Sequence, residues 1–180
     1  MSETFDKCFD MLMKHEGGYT QDDRDPGNYG DGHGNPGSTN LGVTSAVYSK
    51  WTGKPAPREV MKKITKEDVK PIYKKNYYDR FACDELEQIS PGLSWSVFDM
   101  CVNSGNRGAK ILQKVVGANP DGAIGKKTMA LVKGQDPKYM IEKYAELRQQ
   151  FYEGLKTFKT FGKGWTRRTK ETKNQSLELL

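Results

Sequence analysis

Apolar residues recur at helical spacing along most of this chain. Phe5, Cys8, Phe9, Leu12 and Met13 fall at i, i+3, i+4, i+7 and i+8, one face of an amphipathic helix. Thr4 or Ser2 can cap its start, Asp6 lies in its first turn, and Gly17-Gly18 ends it, because glycine readily adopts the left-handed conformation of a C-cap. A short helix is predicted from a Thr44 cap to Trp51. Thr65 with Asp68 resembles a capping box ahead of Val69, Ile72, Tyr73 and Asn76. Pro71 lies too deep for a first-turn proline, so the pattern predicts a start nearer Val69 or a kink. Leu93, Val97, Phe98, Cys101 and Val102 mark a strongly apolar central helix, and Ile111, Leu112, Val115 and Val116 another. Met140, Tyr144, Leu147, Phe151 and Leu155 trace one long amphipathic helix. Strand signal is thin and confined to residues 18–43, where a small hairpin fits. The predicted class is mainly α (α+β), in one domain of 180 residues with room for two lobes.

Residues 17–42 break the helical pattern. They hold eight glycines and two prolines, which forbid an ordinary helix or a central strand. A loop this long in a compact chain is functional or disordered. Its acids, Asp22, Asp23, Asp25 and Asp31, suggest calcium, but counting from Asp23 puts Asn28 where a loop glycine belongs and Gly34 where a bidentate Glu belongs. His15-Glu16 resembles half of a zinc-protease helix, yet Tyr19 stands where the second histidine must be. No metal is expected. Glu16 follows Phe5 by eleven residues, about three helical turns, so it shares the direction of the apolar stripe at its far end. Partial burial and the negative end of the helix dipole would both raise its carboxyl pKa. The plainer reading is a surface Glu in a last turn. Against it, a Glu there is unfavourable and the double glycine after it is costly. A protonated carboxyl beside an ionised one in a polar loop is what general acid catalysis on a sugar linkage needs.

Several motifs together are specific. Glu16-Gly17-Gly18-Tyr19, Asp25-Pro26-Gly27 and Ser38-Thr39-Asn40-Leu41-Gly42-Val43-Thr44 resemble the opening of glycoside hydrolase family 108. The likeness continues through Tyr77-Tyr78-Asp79-Arg80, Asp84-Glu85-Leu86, Val97 to Gly105, Ala109, Leu112-Gln113, Asp121-Gly122, Gly125, Thr128, Gly164-Trp165 and Arg168. It thus spans residues 4 to about 168. The resemblance implies a lysozyme-like fold with a hairpin beside the active-site loop, and muramidase activity on the β-1,4 bond between N-acetylmuramic acid and N-acetylglucosamine. It also implies Glu16, Asp25 and Thr39 as the catalytic set. Loop 28–37 is longer than in the shorter family form, so Asn40 stands as an alternative to Thr39 for holding the water. Tyr19 and Tyr29 are candidates to stack on sugar rings, although Tyr19 equally suits packing. Asn103 can bind substrate amides or cap the central helix. The catalytic helix and loop are expected within residues 4–90. The peptidoglycan-binding-like segment 95–132 is expected to form part of the core, and residues 156–180 a basic helix or tail. No cofactor is implied.

Charge then sharpens the picture of partners. Twenty-nine Lys and Arg against 23 Asp and Glu give +6, and residues 156–173 alone carry that excess through Lys156, Lys159, Lys163, Arg167, Arg168, Lys170 and Lys173 against Glu171. Such a cluster attracts polyanions. Nucleic acid stacking on Phe158, Phe161 and Trp165 is one option, the anionic bacterial wall another, and a solvated helix face the plainest. Peptidoglycan is the expected partner, with no nucleic acid, no stable membrane insertion and a monomeric state. Cys8, Cys83 and Cys101 cannot all pair, and residues 1–13 carry Glu3, Asp6, Lys7 and Asp10 where a secretory signal would be apolar. Together with the resemblance to family 108, whose members are phage and bacterial muramidases, this implies synthesis in a host cytoplasm with holin-type release onto the wall as in a phage endolysin, a prophage or bacterial gene being the alternative. Two competing functions are a lytic transglycosylase, which needs one acid and no partner carboxylate, and a non-catalytic peptidoglycan binder, against which the presence of both Glu16 and Asp25 argues.

Overall fold

Helix α1 (Glu3–Met13) forms where the periodicity predicts, with Ser2 as its cap: the Phe5 N–H donates to Ser2 Oγ at 3.0 Å. The computed structural model describes residues 1–180, with ten α-helices and one two-stranded antiparallel sheet. The chain folds as two compact units, one of residues 9–74 and one of residues 1–8 with 75–180.

In the unit of residues 9–74, Phe9, Leu12 and Met13 are buried. The glycine-rich loop follows, with one 3-10 turn at Pro26–Asn28, then a hairpin of β1 (Thr39–Asn40) and β2 (Val43–Thr44). Helix α2 (Ser45–Thr52) starts as predicted: Thr44 Oγ1 accepts the Val47 N–H, and Gly53 closes the helix in the left-handed region. A short α3 (Arg58–Met61) precedes α4 (Lys66–Tyr73). The Thr65–Asp68 capping box is complete, and it sets the start of α4 at Lys66 rather than near Val69. Pro71 is accommodated inside the helix, and the chain widens into a π-helical stretch, Lys74–Asp79, directly after it. A wider turn is one way a helix absorbs a residue that lacks an N–H.

The larger unit is built around one helix. Beyond α5 (Cys83–Ile89), the run predicted as central becomes α6 (Pro91–Ser104), whose residues from Gly92 to Cys101 are all buried. It packs against α5, α7 (Arg107–Val116), α9 (Pro137–Glu153) and α10 (Phe158–Glu178); α8 (Lys126–Lys133) packs on α7. At the seam with α10, Ser96 and Ser176 hydroxyls lie 2.7 Å apart, and Trp95 Nε1 donates to Gln175 Oε1 at 3.1 Å. Gly92 permits this approach, since a Cβ there would collide with the Ser176 carbonyl. All three cysteines are free and buried, and burial pushes the Cys8 thiol up to about 12, so it stays protonated at neutral pH.

The long helix is rotated from its sequence reading. Its buried positions are Met140, Ile141, Tyr144, Arg148 and Tyr152, whereas Leu147, Phe151 and Leu155 are half-buried, and α9 ends at Glu153. A buried charge explains the rotation. Asp99 on α6 is 0% exposed and pairs with Arg148 Nη1 at 2.8 Å and Arg168 Nη2 at 2.8 Å, while Thr172 Oγ1 donates to it at 3.1 Å. Arg148 Nε and Nη2 donate to Tyr152 Oη, which stacks on Trp165 with ring centres 4.9 Å apart. Arg168, counted by sequence among the wall-attracting charges, is therefore part of this interior pair, while Lys159, Lys163, Arg167 and Lys170 remain exposed on α10.

Candidate active site

Glu16 lies just past α1, where its N–H still bonds to the Leu12 carbonyl at 3.2 Å. After Gly17-Gly18 the chain turns to Thr20, which bridges antiparallel to Thr39 through N–H to O bonds of 2.8 and 2.9 Å. That bridge ties the Glu16 segment to the hairpin. The hairpin turn, Leu41-Gly42, has φ of 51° and 78°, the paired left-handed values of a tight two-residue loop. Gly42 is required twice over. Beyond its φ, a Cβ at 42 would stand 2.5 Å from Glu16 Oε2 and collide with the Tyr73 hydroxyl. The half-buried Glu16 carboxyl thus rests on bare backbone, and Tyr73 fixes the turn by donating to the Leu41 carbonyl at 2.8 Å.

The four loop acids sort by their partners. Asp22 receives the Arg24 guanidinium at 2.7 Å, and the side-chain and backbone hydrogen bonds from Arg24 hold its carboxyl below the usual range. Asp23 pairs with Arg58 Nη2 at 2.8 Å. Asp31 is 2% exposed and accepts from the N–H groups of His33 (2.8 Å), Asn35 (3.2 Å) and Ala56 (3.0 Å) and from Asn35 Nδ2 (2.8 Å). Burial opposes its ionised form, but these donors outweigh burial and bring its pKa down to about 2. It pins loop 28–37 to the chain at Ala56. Asp25 differs from all three. Its Oδ1 accepts the Gly27 N–H at 2.9 Å as cap of the 3-10 turn, and no side chain donates to this exposed carboxylate.

Thr39 Oγ1 donates to Asn28 Oδ1 at 2.8 Å, which leaves the hydroxyl oxygen as an acceptor. Asn28 is itself held, buried, by its bond to the Asp22 carbonyl at 3.0 Å. Asn40 points away from water: it is 7% exposed, and its Nδ2 donates to the Met61 carbonyl at 2.8 Å. Tyr29 is 69% exposed, with its ring free for a ligand, whereas Tyr19 is half-buried under Lys62 Nζ, 5.4 Å from the ring centre. Asn103 belongs to the other unit, where its Oδ1 accepts from Tyr152 Oη at 2.6 Å. The sequence reading did not single out Gly42, Tyr73, Asn28 or Arg58 as parts of this site. For Gly42 only a general signal existed, a glycine between two short segments, because Leu41 is not a residue that marks a two-residue hairpin turn.

One carboxyl against a hairpin turn and a second, exposed carboxylate in the glycine-rich loop are the residue types that a glycosidase uses in pairs. Comparison with known families agrees. The glycosyl hydrolase 108 profile matches residues 9–105, and the chain belongs to that family. A second profile, described as a predicted peptidoglycan domain, matches residues 107–170. Among solved structures, SagA from Brucella abortus is similar at 36% identity and a TM-score of 0.80, over 98% of this chain and 95% of SagA. No curated protein matches the chain. Family and peptidoglycan domain together make the protein a peptidoglycan hydrolase of the lysozyme type.

Proposed function

We propose that the protein is an N-acetylmuramidase in which Glu16 protonates the glycosidic oxygen between N-acetylmuramic acid and N-acetylglucosamine. Asp25, ionised and open to solvent, stabilises the positive charge that develops on the sugar ring or orients the attacking water. Thr39 accepts a hydrogen bond from that water. The observation that carries this reading is the sorting of the loop acids: of the four, only Asp25 accepts from no side chain, since Asp22 is held by Arg24, Asp23 by Arg58 and Asp31 by Asn35. Glu16→Gln tests it. Loss of general acid catalysis costs about 100- to 10,000-fold, so a folded Glu16→Gln protein should release almost no glycan fragments from purified walls. Near-wild-type release would overturn the assignment. Products from the wild-type enzyme should end in reducing sugars; anhydro-muramic ends would make it a transglycosylase instead, and no products a binder. The resemblance to phage muramidases further supports an endolysin role, with synthesis in a host cytoplasm and holin-type release. Host lysis should then begin only when a holin is co-expressed, and lysis by the enzyme alone would count against that role.

A further inference from the structure

Within residues 107–170, α7 turns two unlike faces outward and inward. Gly108, Ala109, Ile111, Leu112, Val115 and Val116 are buried, while Arg107, Lys110 and Lys114 follow one another at i, i+3 and i+7 on a single side. That side borders a groove of about 420 Å³ between α7 and α9, whose remaining lining is Ile111, Leu147, Gln150 and Phe151. Four features set it apart from an ordinary solvated face. No carboxylate lines it. None of its three cations is drawn into an ion pair, although carboxylates elsewhere in the same unit are paired with Lys143, Arg148 and Arg168. The Arg107 guanidinium lies over the Phe151 ring, 5.8 Å from its centre, which leaves the guanidinium edge available to a bidentate acceptor. Its wall combines Leu147 and Phe151, apolar groups left half-exposed by the rotation of α9. The larger cleft between α9 and α10, about 610 Å³, has the opposite character, since Glu142 and Glu146 line it beside Lys143, Lys170 and Lys173.

We infer that the α7–α9 groove is a binding site for the peptide stems of peptidoglycan, in which Arg107, Lys110 and Lys114 receive the stem carboxylates and Phe151 and Leu147 cover its aliphatic side chains. The chemistry fits on both counts: a stem presents several carboxylates on a short, partly apolar peptide, and the groove presents several unpaired cations on a partly apolar wall. Planar guanidinium recognition and spaced ammonium groups suit carboxylates held on a flexible chain. The inference rests on peptidoglycan being the substrate, and it assigns the peptide portion to this surface, apart from the Glu16 loop that handles sugar.

The test uses full-length Glu16→Gln protein, so that binding is read without cleavage. Three soluble probes are titrated: a disaccharide carrying its peptide stem, the same compound with the stem carboxylates amidated, and the disaccharide without a stem. Three exposed carboxylate contacts are together worth about tenfold in affinity. The stem-bearing probe should therefore bind about tenfold more tightly than the other two, and the difference should vanish in Arg107→Gln/Lys110→Gln/Lys114→Gln. Lys156→Gln/Lys159→Gln/Lys163→Gln removes the same charge from α10 and its approach, outside the groove, and should keep the difference. Equal weakening by both triple variants would reduce the groove to net charge and overturn the inference. So would equal affinity for amidated and free stems, or displacement of the stem by inorganic phosphate at equal charge. A Phe151→Ala protein, which keeps every cation, should lose several-fold on the stem-bearing probe alone. Wild-type protein that cleaves no wall would refute the enzymatic reading while leaving these binding ratios to stand or fall by themselves.

Discussion

Replacing Asp99 by Asn should be among the most damaging single changes in the molecule. The carboxylate is wholly buried and faces two guanidinium groups, Arg148 and Arg168, each at 2.8 Å. Burial by itself would raise its pKa, but the two arginine charges and their hydrogen bonds outweigh it and hold the carboxyl at about 2. An Asn keeps the shape and withdraws the charge, leaving two cations in the interior of the α6–α9–α10 seam. Removing one partner of a buried pair costs about 3–5 kcal/mol. The linkage sign follows from the lowered pKa. The folded-state preference for the ionised form contributes stability that is complete above the unfolded value of about 3.9 and lost as pH falls toward 2. The drop from about 3.9 to about 2 amounts to roughly 2–3 kcal/mol, about half of it gone by pH 3. Urea unfolding at pH 7 and at pH 3, followed by circular dichroism, checks both parts. Asp99→Asn should lower the midpoint strongly at pH 7, and the gap between the two proteins should narrow at pH 3. A penalty under about 1 kcal/mol at pH 7, or a gap that does not depend on pH, would refute the reasoning. The triple replacement Asp99→Leu/Arg148→Met/Arg168→Met should recover most of the loss, because well-packed apolar groups often match a buried ion pair.

Asp25→Ala should reduce wall cleavage by about 100-fold or more, while Asp22→Ala and Asp23→Ala, whose carboxylates are engaged by arginines, should cost less than about tenfold; a larger loss from either would move the second carboxylate. Gly42→Ala should place a methyl group against Glu16 and force a left-handed alanine, costing about 1–2 kcal/mol in stability and about 100-fold in kcat through displacement of the acid; unchanged kcat would mean the carboxyl does not work from its present seat. Asp31→Ala should free loop 28–37 from its anchor at Ala56, seen as proteolytic nicking within the loop faster by on the order of tenfold with helical circular dichroism unchanged; equal nicking rates would show that the loop holds without its four donors.

Local rules carried much of the architecture. The Thr44 cap and the Thr65–Asp68 capping box were legible because each depends only on residues three apart. The buried stripe of α9 was not, because apolarity alone selected Leu147, Phe151 and Leu155, whereas the true inner face carries Arg148. Its hint lay in Tyr144, Arg148 and Tyr152 at i, i+4 and i+8, but only the partner, Asp99, 49 positions earlier, makes a buried arginine tolerable. The site divides the same way. The segments holding Glu16, Asp25 and Thr39 were visible as motifs. What Asn40 does was not, since its bond to the Met61 carbonyl joins positions 21 apart and turns the amide inward. The excess of charge near the C-terminus was overcounted for a similar reason: Arg168 serves the interior.

The matched profiles meet at residues 105 and 107, as if a wall-binding module could be detached there. The packing of α6 forbids that cut. Its buried residues, Gly92 through Cys101, lie before the junction, and α7, α9 and α10, which cover them, lie after it. An engineer moving the peptidoglycan domain onto another enzyme at that border would leave one half with a naked apolar rod and the other with three helices lacking their axle. The core of the peptidoglycan domain belongs to the unit of residues 75–180 with 1–8, and the border that heredity draws between the two profiles is not one along which this polypeptide can be taken apart.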